Sequence, residues 1–205
     1  MKKISIVLLS FLAVSALYAQ TDHVTVDSNE AKAVQVQPVK TPALDKSPMD
    51  MSYFPADYPI LKTQNKATTP PVMRVVYSRP LRGDRAIFGE LIEYNKVWRL
   101  GANEATEIEF FREVAIRGKK IPKGRYTLYA IPTESSWTMI LNSDTDSWGA
   151  FVYDATKDLV RTEVPIEKLA TPVEPFSMMF VKTAKGANLV VSWEHVSASL
   201  PIEFK

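Results

Sequence analysis

Arginine side chains are concentrated near the middle of the sequence, in a segment that also carries glycine and acidic residues. Arg79, Arg82 and Arg99 lie there among turn-forming residues that predict loops. A guanidinium group forms paired hydrogen bonds with a carboxylate or phosphate, so these side chains could bind a small anion. Alternatively, they could form internal ion pairs that fix the loops. The acidic residues considered for such pairs are Asp84, Glu90 and Glu104.

The dipeptide Asn103-Glu104 follows Gly101-Ala102, which predicts a turn. Such a turn could direct an amide and a carboxylate into one cleft, where Glu104 could act as a general acid or base. The alternative is a turn whose polar side chains only satisfy backbone groups, as asparagine commonly does.

A second polar loop supplies the oxygen atoms of Asn142, Asp144 and Asp146. The calcium-binding hand motif requires glycine at its sixth position and glutamate at its twelfth. Counted from Asn142, those positions hold Ser147 and Tyr153, so the motif is not matched. The sequence therefore predicts a hairpin loop with Asx turns, and a calcium site completed by oxygens from elsewhere in the fold stays open as an alternative. No metal and no cofactor are assigned, and Asp144 is a candidate ligand-binding residue.

The four tryptophans fall into different environments. Trp137 and Trp193 are in phase with apolar neighbours along predicted strands, which favours the core. Trp148 lies beside a glycine in the second polar loop and is the best candidate for an exposed ring that stacks on a sugar. Trp98, next to an arginine, is intermediate.

Charge and cysteine content exclude several classes of function. The chain carries 25 lysines and arginines against 23 acidic residues, and removing Lys2 and Lys3 leaves no net charge. A nucleic-acid-binding protein needs an excess of basic residues to neutralise phosphates, so nucleic acid is not an expected partner. The absence of cysteine excludes disulfides, thiolate metal sites and cysteine nucleophiles.

The first 19 residues have the features of a secretory signal peptide. Lys2 and Lys3 precede an apolar run from Ile4 to Leu17, and Ala19 is a small residue suited to cleavage. The run is shorter than the roughly 20 residues that cross a bilayer, and no later segment is apolar enough to do so. We therefore expect export, to the periplasm or the medium.

Residues 20–43 lack aromatic side chains and are expected to form a disordered tether. Tyr53, Phe54 and Tyr58 follow, interleaved with prolines. This segment is expected to be an extended arm packed on the domain rather than a regular element.

From residue 72 onward, short alternating segments are separated by turn residues. The predicted strands are residues 72–78, 107–111, 114–117, 125–131, 137–141, 158–164, 176–182, 189–193 and 200–204. Pro201 indicates an edge position for the last of these. Residues 88–97 fit a helical turn as well as a strand. The pattern predicts an all-β domain, an antiparallel, jelly-roll-like β-sandwich.

Several of these segments together resemble the family called domain of unknown function 2911, which is found in exported bacterial proteins. The most specific is Trp-Arg-Leu-Gly-Ala-Asn-Glu-Ala-Thr at residues 98–106. Ser78-Arg79-Pro80, Asp-Thr-Asp-Ser-Trp-Gly at 144–149 and the glycine-bounded turn at 118–126 also match. The resemblance runs from Leu44 to the end of the chain. It implies one all-β domain over residues 44–205 and export, but no reaction.

The clustering of polar loops without a recognisable catalytic set favours a non-catalytic binding module. Its ligand would be small and polar, anionic or carbohydrate-like. The candidate ligand-binding residues are Arg79, Arg82, Arg99, Asn103, Glu104, Asp144 and Trp148. Two alternatives stay open. One is a hydrolase that uses Glu104 with Asp144 or Asp146 as paired carboxylates. The other is a structural envelope protein whose partner is an envelope component.

Overall fold

Nine β-strands and one short α-helix form the regular structure of the computed structural model, which describes residues 40–204. The strands are β1 (Met49–Phe54), β2 (Met73–Ser78), β3 (Glu107–Phe110), β4 (Val114–Ile116), β5 (Lys119–Ile121), β6 (Gly124–Pro132), β7 (Ser136–Asn142), β8 (Asp158–Lys182) and β9 (Gly186–Phe204). The helix is α1 (Tyr58–Thr63), and a single 3₁₀ turn spans Ala155–Lys157. The predicted signal peptide lies outside the described residues, as does the predicted tether apart from residues 40–43.

Every pairing between these strands is antiparallel, in the order β1-β2-β3-β6-β7-β8-β9-β4-β5. The all-β prediction is confirmed. In the described part of the chain, no helix is both long enough and apolar enough to cross a membrane.

The strand β8 is 25 residues long and changes partner along its length. Up to Pro165 it pairs with β7, and from Ile166 it pairs with β9. It thereby joins β1-β2-β3-β6-β7 to β9-β4-β5. β1 and β2 also contact the second half of β8, because the hydroxyls of Ser52 and Tyr77 both donate hydrogen bonds to the backbone carbonyl of Met178.

The last two predicted strands belong to one continuous strand, β9. Pro201 therefore does not lie on an edge strand, because β9 runs between β8 and β4. Its missing N–H is tolerated because Pro201 lies between two paired regions of β9. The pairing with β8 extends to Ala198, and the pairing with β4 involves Glu203 and Phe204.

The segment around Tyr53 and Phe54 is a regular strand, so the prediction that it forms no regular element is wrong. All six residues of β1 pair with β2. Pro48 and Pro55 bound the strand, and the Pro48 carbonyl accepts a hydrogen bond from the backbone N–H of Arg79. Residues 88–97, which the sequence left ambiguous, contain neither a helix nor a regular strand and fold into consecutive turns.

Aromatic rings fill the interior where the long strands meet the loop before β3. The indoles of Trp98 and Trp193 stack at a centroid distance of 6.2 Å, and Trp137 meets Trp98 edge-on at 5.7 Å. Phe88 and Phe176 pack against the same indoles. The prediction that Trp137 and Trp193 are core residues is confirmed, since both are 1% exposed.

We expect Trp193→Ala to lower the free energy of unfolding by about 3–5 kcal/mol, since a large buried ring is removed from packed surroundings. Trp148→Ala is the matched control: this ring is 59% exposed, and its removal should change the value by no more than about 0.5 kcal/mol. Denaturant unfolding measures both. Equal effects would contradict the packing described above.

Candidate functional site

A cleft of about 660 Å³ opens where the segment after β2 meets the loop before β3. We call it the arginine cleft, because its wall contains four basic side chains, three of them arginines: Lys46, Arg82, Arg85 and Arg99. The buried indoles of Trp98 and Trp193 also line the cleft, so it lies directly against the aromatic core. It combines positive charge with an apolar base.

After β2 the chain runs alongside β8, and hydrogen bonds to β8 fix the backbone of Arg82. The Pro80 carbonyl accepts from the N–H of Phe176 at 2.9 Å, and the N–H of Arg82 donates to the Glu174 carbonyl at 2.8 Å. The Glu174 carboxylate accepts from the N–H of Gly83 at 2.7 Å. Backbone hydrogen bonds therefore hold this wall of the cleft in place.

The loop that carries Arg99 is closed on itself. The indole N–H of Trp98 donates to the Gly101 carbonyl at 3.1 Å, and the N–H of Thr106 donates to the Arg99 carbonyl at 3.1 Å. Gly101 has φ +152°, and a Cβ there would lie 3.2 Å from the Ser78 carbonyl oxygen, so the loop presses on the end of β2. The backbone of Arg99 is positioned before any ligand arrives.

The side chain of Arg99 has no counter-charge in the described part of the chain. It is half-buried, it forms no salt bridge there, and its Nε is buried without a hydrogen-bond partner. Burial lowers the pKa of Arg99 from its ordinary value, but a guanidinium in a protein stays protonated at neutral pH. The cleft therefore contains an uncompensated positive charge.

Arg82 is only loosely paired. Its Nε lies 3.9 Å from Oε1 of Glu194 and has no hydrogen-bond partner, although it is buried. Arg85 differs, because its guanidinium donates to the backbone carbonyls of Leu81 and Arg82 and so stabilises the loop itself. Arg82 and Arg99 are thus the two cleft arginines whose Nε groups lack hydrogen-bond partners among the described residues.

Arg79 has a structural role and does not line this cleft. Its guanidinium bonds to the Asp50 carboxylate at 2.8 Å, to the Phe176 carbonyl at 3.2 Å and to the Ser177 hydroxyl at 3.1 Å. The alternative of an internal ion pair holds for this arginine, but its partner comes from β1 rather than from the neighbouring acidic residues.

The structure brings Asn103, Glu104 and Trp148 together, but away from the lining of the arginine cleft. The backbone of Glu104 bridges that of Trp148, and the Asn103 carbonyl accepts from the N–H of Gly149 at 2.9 Å. The prediction that Trp148 is the exposed tryptophan is confirmed.

The acidic residues are mostly engaged by basic partners. Glu104 and Asp146 line a separate cavity of about 270 Å³, and the Asp146 carboxylate pairs with Arg125, which does not line it. Asp144 does not line that cavity and pairs with Lys157 at 3.1 Å. Within residues 40–204, no cluster of three or more histidine or acidic side chains could hold a metal ion.

The second polar loop is held by side-chain hydrogen bonds. The predicted Asx turn is present, with the Asp144 N–H donating to Oδ1 of Asn142 at 2.8 Å. Further along, the Tyr153 hydroxyl donates to the Asp158 carboxylate at 2.6 Å. Burial, reinforced by this bond, raises the pKa of Tyr153 to about 12.

Sequence reasoning missed Lys46 and Arg85 as cleft residues. Arg85 belongs to the same basic segment as Arg82, so the cluster itself was a usable signal. Lys46 has no local pattern that marks it, because it reaches the cleft only through the pairing of β1 with β2.

These features define an all-β domain with a preformed basic cleft set on an aromatic core. The chain belongs to the family described as Protein of unknown function (DUF2911), whose sequence model matches residues 61–202. The resemblance noted in the sequence is therefore confirmed. Neither the curated proteins nor the solved structures compared with the chain gave a significant match.

The raised pKa of Tyr153 predicts a loss of stability at high pH. Folding holds the phenol in its neutral form, so this contribution is complete below about pH 10 and disappears as the pH rises from about 10 to 12. We expect the free energy of unfolding of the wild type to fall more steeply over that range than that of Tyr153→Phe. Denaturant unfolding at intervals of pH measures this, and identical slopes would refute it.

Proposed function

We propose that this domain is a non-catalytic binding module for a small anionic ligand, which it holds in the cleft between Arg82 and Arg99. The observation that carries the proposal is the half-buried guanidinium of Arg99, whose Nε has no partner among the described residues. Leaving a buried polar group unsatisfied costs free energy. An anion in the cleft would supply the missing negative charge and could accept hydrogen bonds from the terminal N–H groups of the guanidinium.

The side chains that line the cleft restrict the class of ligand further. A planar guanidinium pairs bidentately with carboxylate or phosphate oxygens, and two such groups, those of Arg82 and Arg99, line the cleft. The volume lies within the roughly 300–1,000 Å³ usual for small-molecule sites. Since Trp98, Trp193 and Leu91 also line it, the ligand should carry an apolar portion beside its anionic group.

A neighbouring cavity extends this apolar contact. It has a volume of about 300 Å³ and shares Leu91, Trp98 and Arg99 with the cleft. Phe151, which is 81% exposed, lines its other side. A ligand anchored at Arg99 could lay its apolar part against this ring.

Binding is favoured over carboxylate catalysis by the state of the acidic residues. Glu104 and Asp146 share a cavity, but Arg125 already holds the Asp146 carboxylate, and Asp144 lies outside it. The uncompensated charge is positive and lies in the other cleft. We therefore assign the ligand to the arginines.

The test compares Arg99→Gln with Arg161→Gln. The control removes one guanidinium that already pairs with Asp158, and Arg161 does not line the cleft. Phenyl phosphate, benzoate and citrate serve as probes in calorimetric titration. We expect the wild type and Arg161→Gln to bind at least one of them, and Arg99→Gln to bind it about tenfold more weakly or worse.

Stability separates a ligand-binding role of Arg99 from a structural one. Because its charge lacks a partner among residues 40–204, Arg99→Gln should leave the free energy of unfolding unchanged or raise it. A clear loss of stability, or equal probe binding by both variants, would count against the proposal.

We also propose that the protein is exported, on the strength of the signal-peptide pattern in residues 1–19. Expression of the full chain in a bacterial host should yield a mature protein that begins at Gln20. Mass spectrometry of the purified protein checks this. An intact N-terminus in a cytoplasmic fraction would overturn it.

A further inference from the structure

A second cleft, of about 750 Å³, lies at the other end of the β1–β2 pair. The arginine cleft lies near the end where Met49 pairs with Ser78, whereas this one includes Phe54, which pairs with Met73 at the opposite end. The two clefts have no lining residue in common. They can therefore be tested separately.

The base of this second cleft is aromatic. Phe54, Phe180 and Phe204 line it, with Phe54 5.0 Å from Phe204 and 6.4 Å from Phe180 between ring centroids. Phe180 is buried, whereas the other two rings are only half-buried. The rings therefore present apolar surface towards the opening.

The rim of the second cleft is basic. Arg112, Lys182 and Lys185 line it against one acidic residue, Glu203. None of the three cations forms a salt bridge within residues 40–204. The guanidinium of Arg112 lies 5.0 Å from the centre of the Phe204 ring, which sets a positive charge directly beside the aromatic base.

Close backbone contacts make this site rigid. The N–H of Phe204 donates to the Lys185 carbonyl at 2.9 Å, which ties the end of β9 to the turn after β8. A Cβ on Gly186 would come within 2.1 Å of the Ile202 carbonyl oxygen, so only glycine fits where these segments meet. The wall of the cleft is preformed.

We propose that this second cleft binds an amphipathic organic anion, with its apolar body on the phenylalanines and its negative group at the basic rim. The aromatic base supplies the apolar contact, and the surplus of unpaired cations supplies charge complementarity. The site is independent of the arginine cleft and of its proposed function.

The probes are 8-anilinonaphthalene-1-sulfonate, followed by its fluorescence, and decanoate and 1-decanol as competitors. We expect saturable binding of the dye and displacement by decanoate at a concentration about fivefold or more below that of the uncharged alcohol. Amide shifts in a two-dimensional NMR spectrum should include Thr183 and Gly186.

The variants are chosen to keep the fold intact. Lys182→Gln with Lys185→Gln removes two exposed charges from the rim and should weaken decanoate about fivefold or more. Lys119→Gln with Lys120→Gln is the matched control, since both lysines are exposed on β5, and should bind as the wild type does. Both pairs are made in the Arg99→Gln background, so that binding of the dye or of decanoate at the arginine cleft does not enter the comparison.

Three results would overturn the proposal: no saturable binding of the dye, equal decanoate binding by the two lysine pairs, or complete loss of dye binding in Arg99→Gln alone. The last would place the dye in the arginine cleft. The two proposals fail separately, because the arginine cleft is judged by the effect of Arg99→Gln on its own probes and the second cleft by the effect of Lys182→Gln with Lys185→Gln in the Arg99→Gln background.

Discussion

The packing of three indoles holds the strands and the loops around the arginine cleft in one arrangement. Trp137 comes from β7, Trp193 from β9 and Trp98 from the loop before β3, so their contacts tie distant parts of the chain together. Each of two indole N–H groups also fixes backbone: Trp98 bonds to Gly101 and Trp193 to Glu174. The walls of the arginine cleft are therefore extensions of the core.

This construction explains how an unpaired charge is kept in place. Arg99 follows a buried tryptophan in a loop closed by its own hydrogen bonds, so its backbone cannot turn away from the cleft without disturbing the core. The guanidinium can still reach water at the opening of the cleft, which limits the cost of its partial burial. The geometry of the cleft is thus set by packing.

Local alternation predicted the strands whose apolar residues face one side. β6 and β7 are found within one residue of the expected bounds, since their alternating side chains form the core. The merging of two predicted strands into β8 was not visible, because residues 165–175 lack a regular alternation of polar and apolar side chains and contain three prolines. Those residues stay extended through irregular pairing with β9, which shifts register twice between Lys168 and Ser177.

The candidate site was predictable in its residue types but not in its pairing. Arg79, Arg82 and Arg99 look alike in the sequence, and only the register that places Asp50 opposite Tyr77 decides that Arg79 is the neutralised one. That register links segments almost 30 residues apart and depends on a strand that prolines and methionines obscure. Long-range sheet pairing therefore selects which arginines remain available.

The change of partner along β8 couples the two groups of strands mechanically. β8 pairs with β7 in one group and with β9 in the other, so separating either group from β8 would expose an unpaired edge of this strand. β4 pairs with the last residues of β9, which come about 90 residues later in the sequence, so the interior closes only when β9 is in place. A chain synthesised or threaded from its N-terminus must therefore stay open until β9 has emerged.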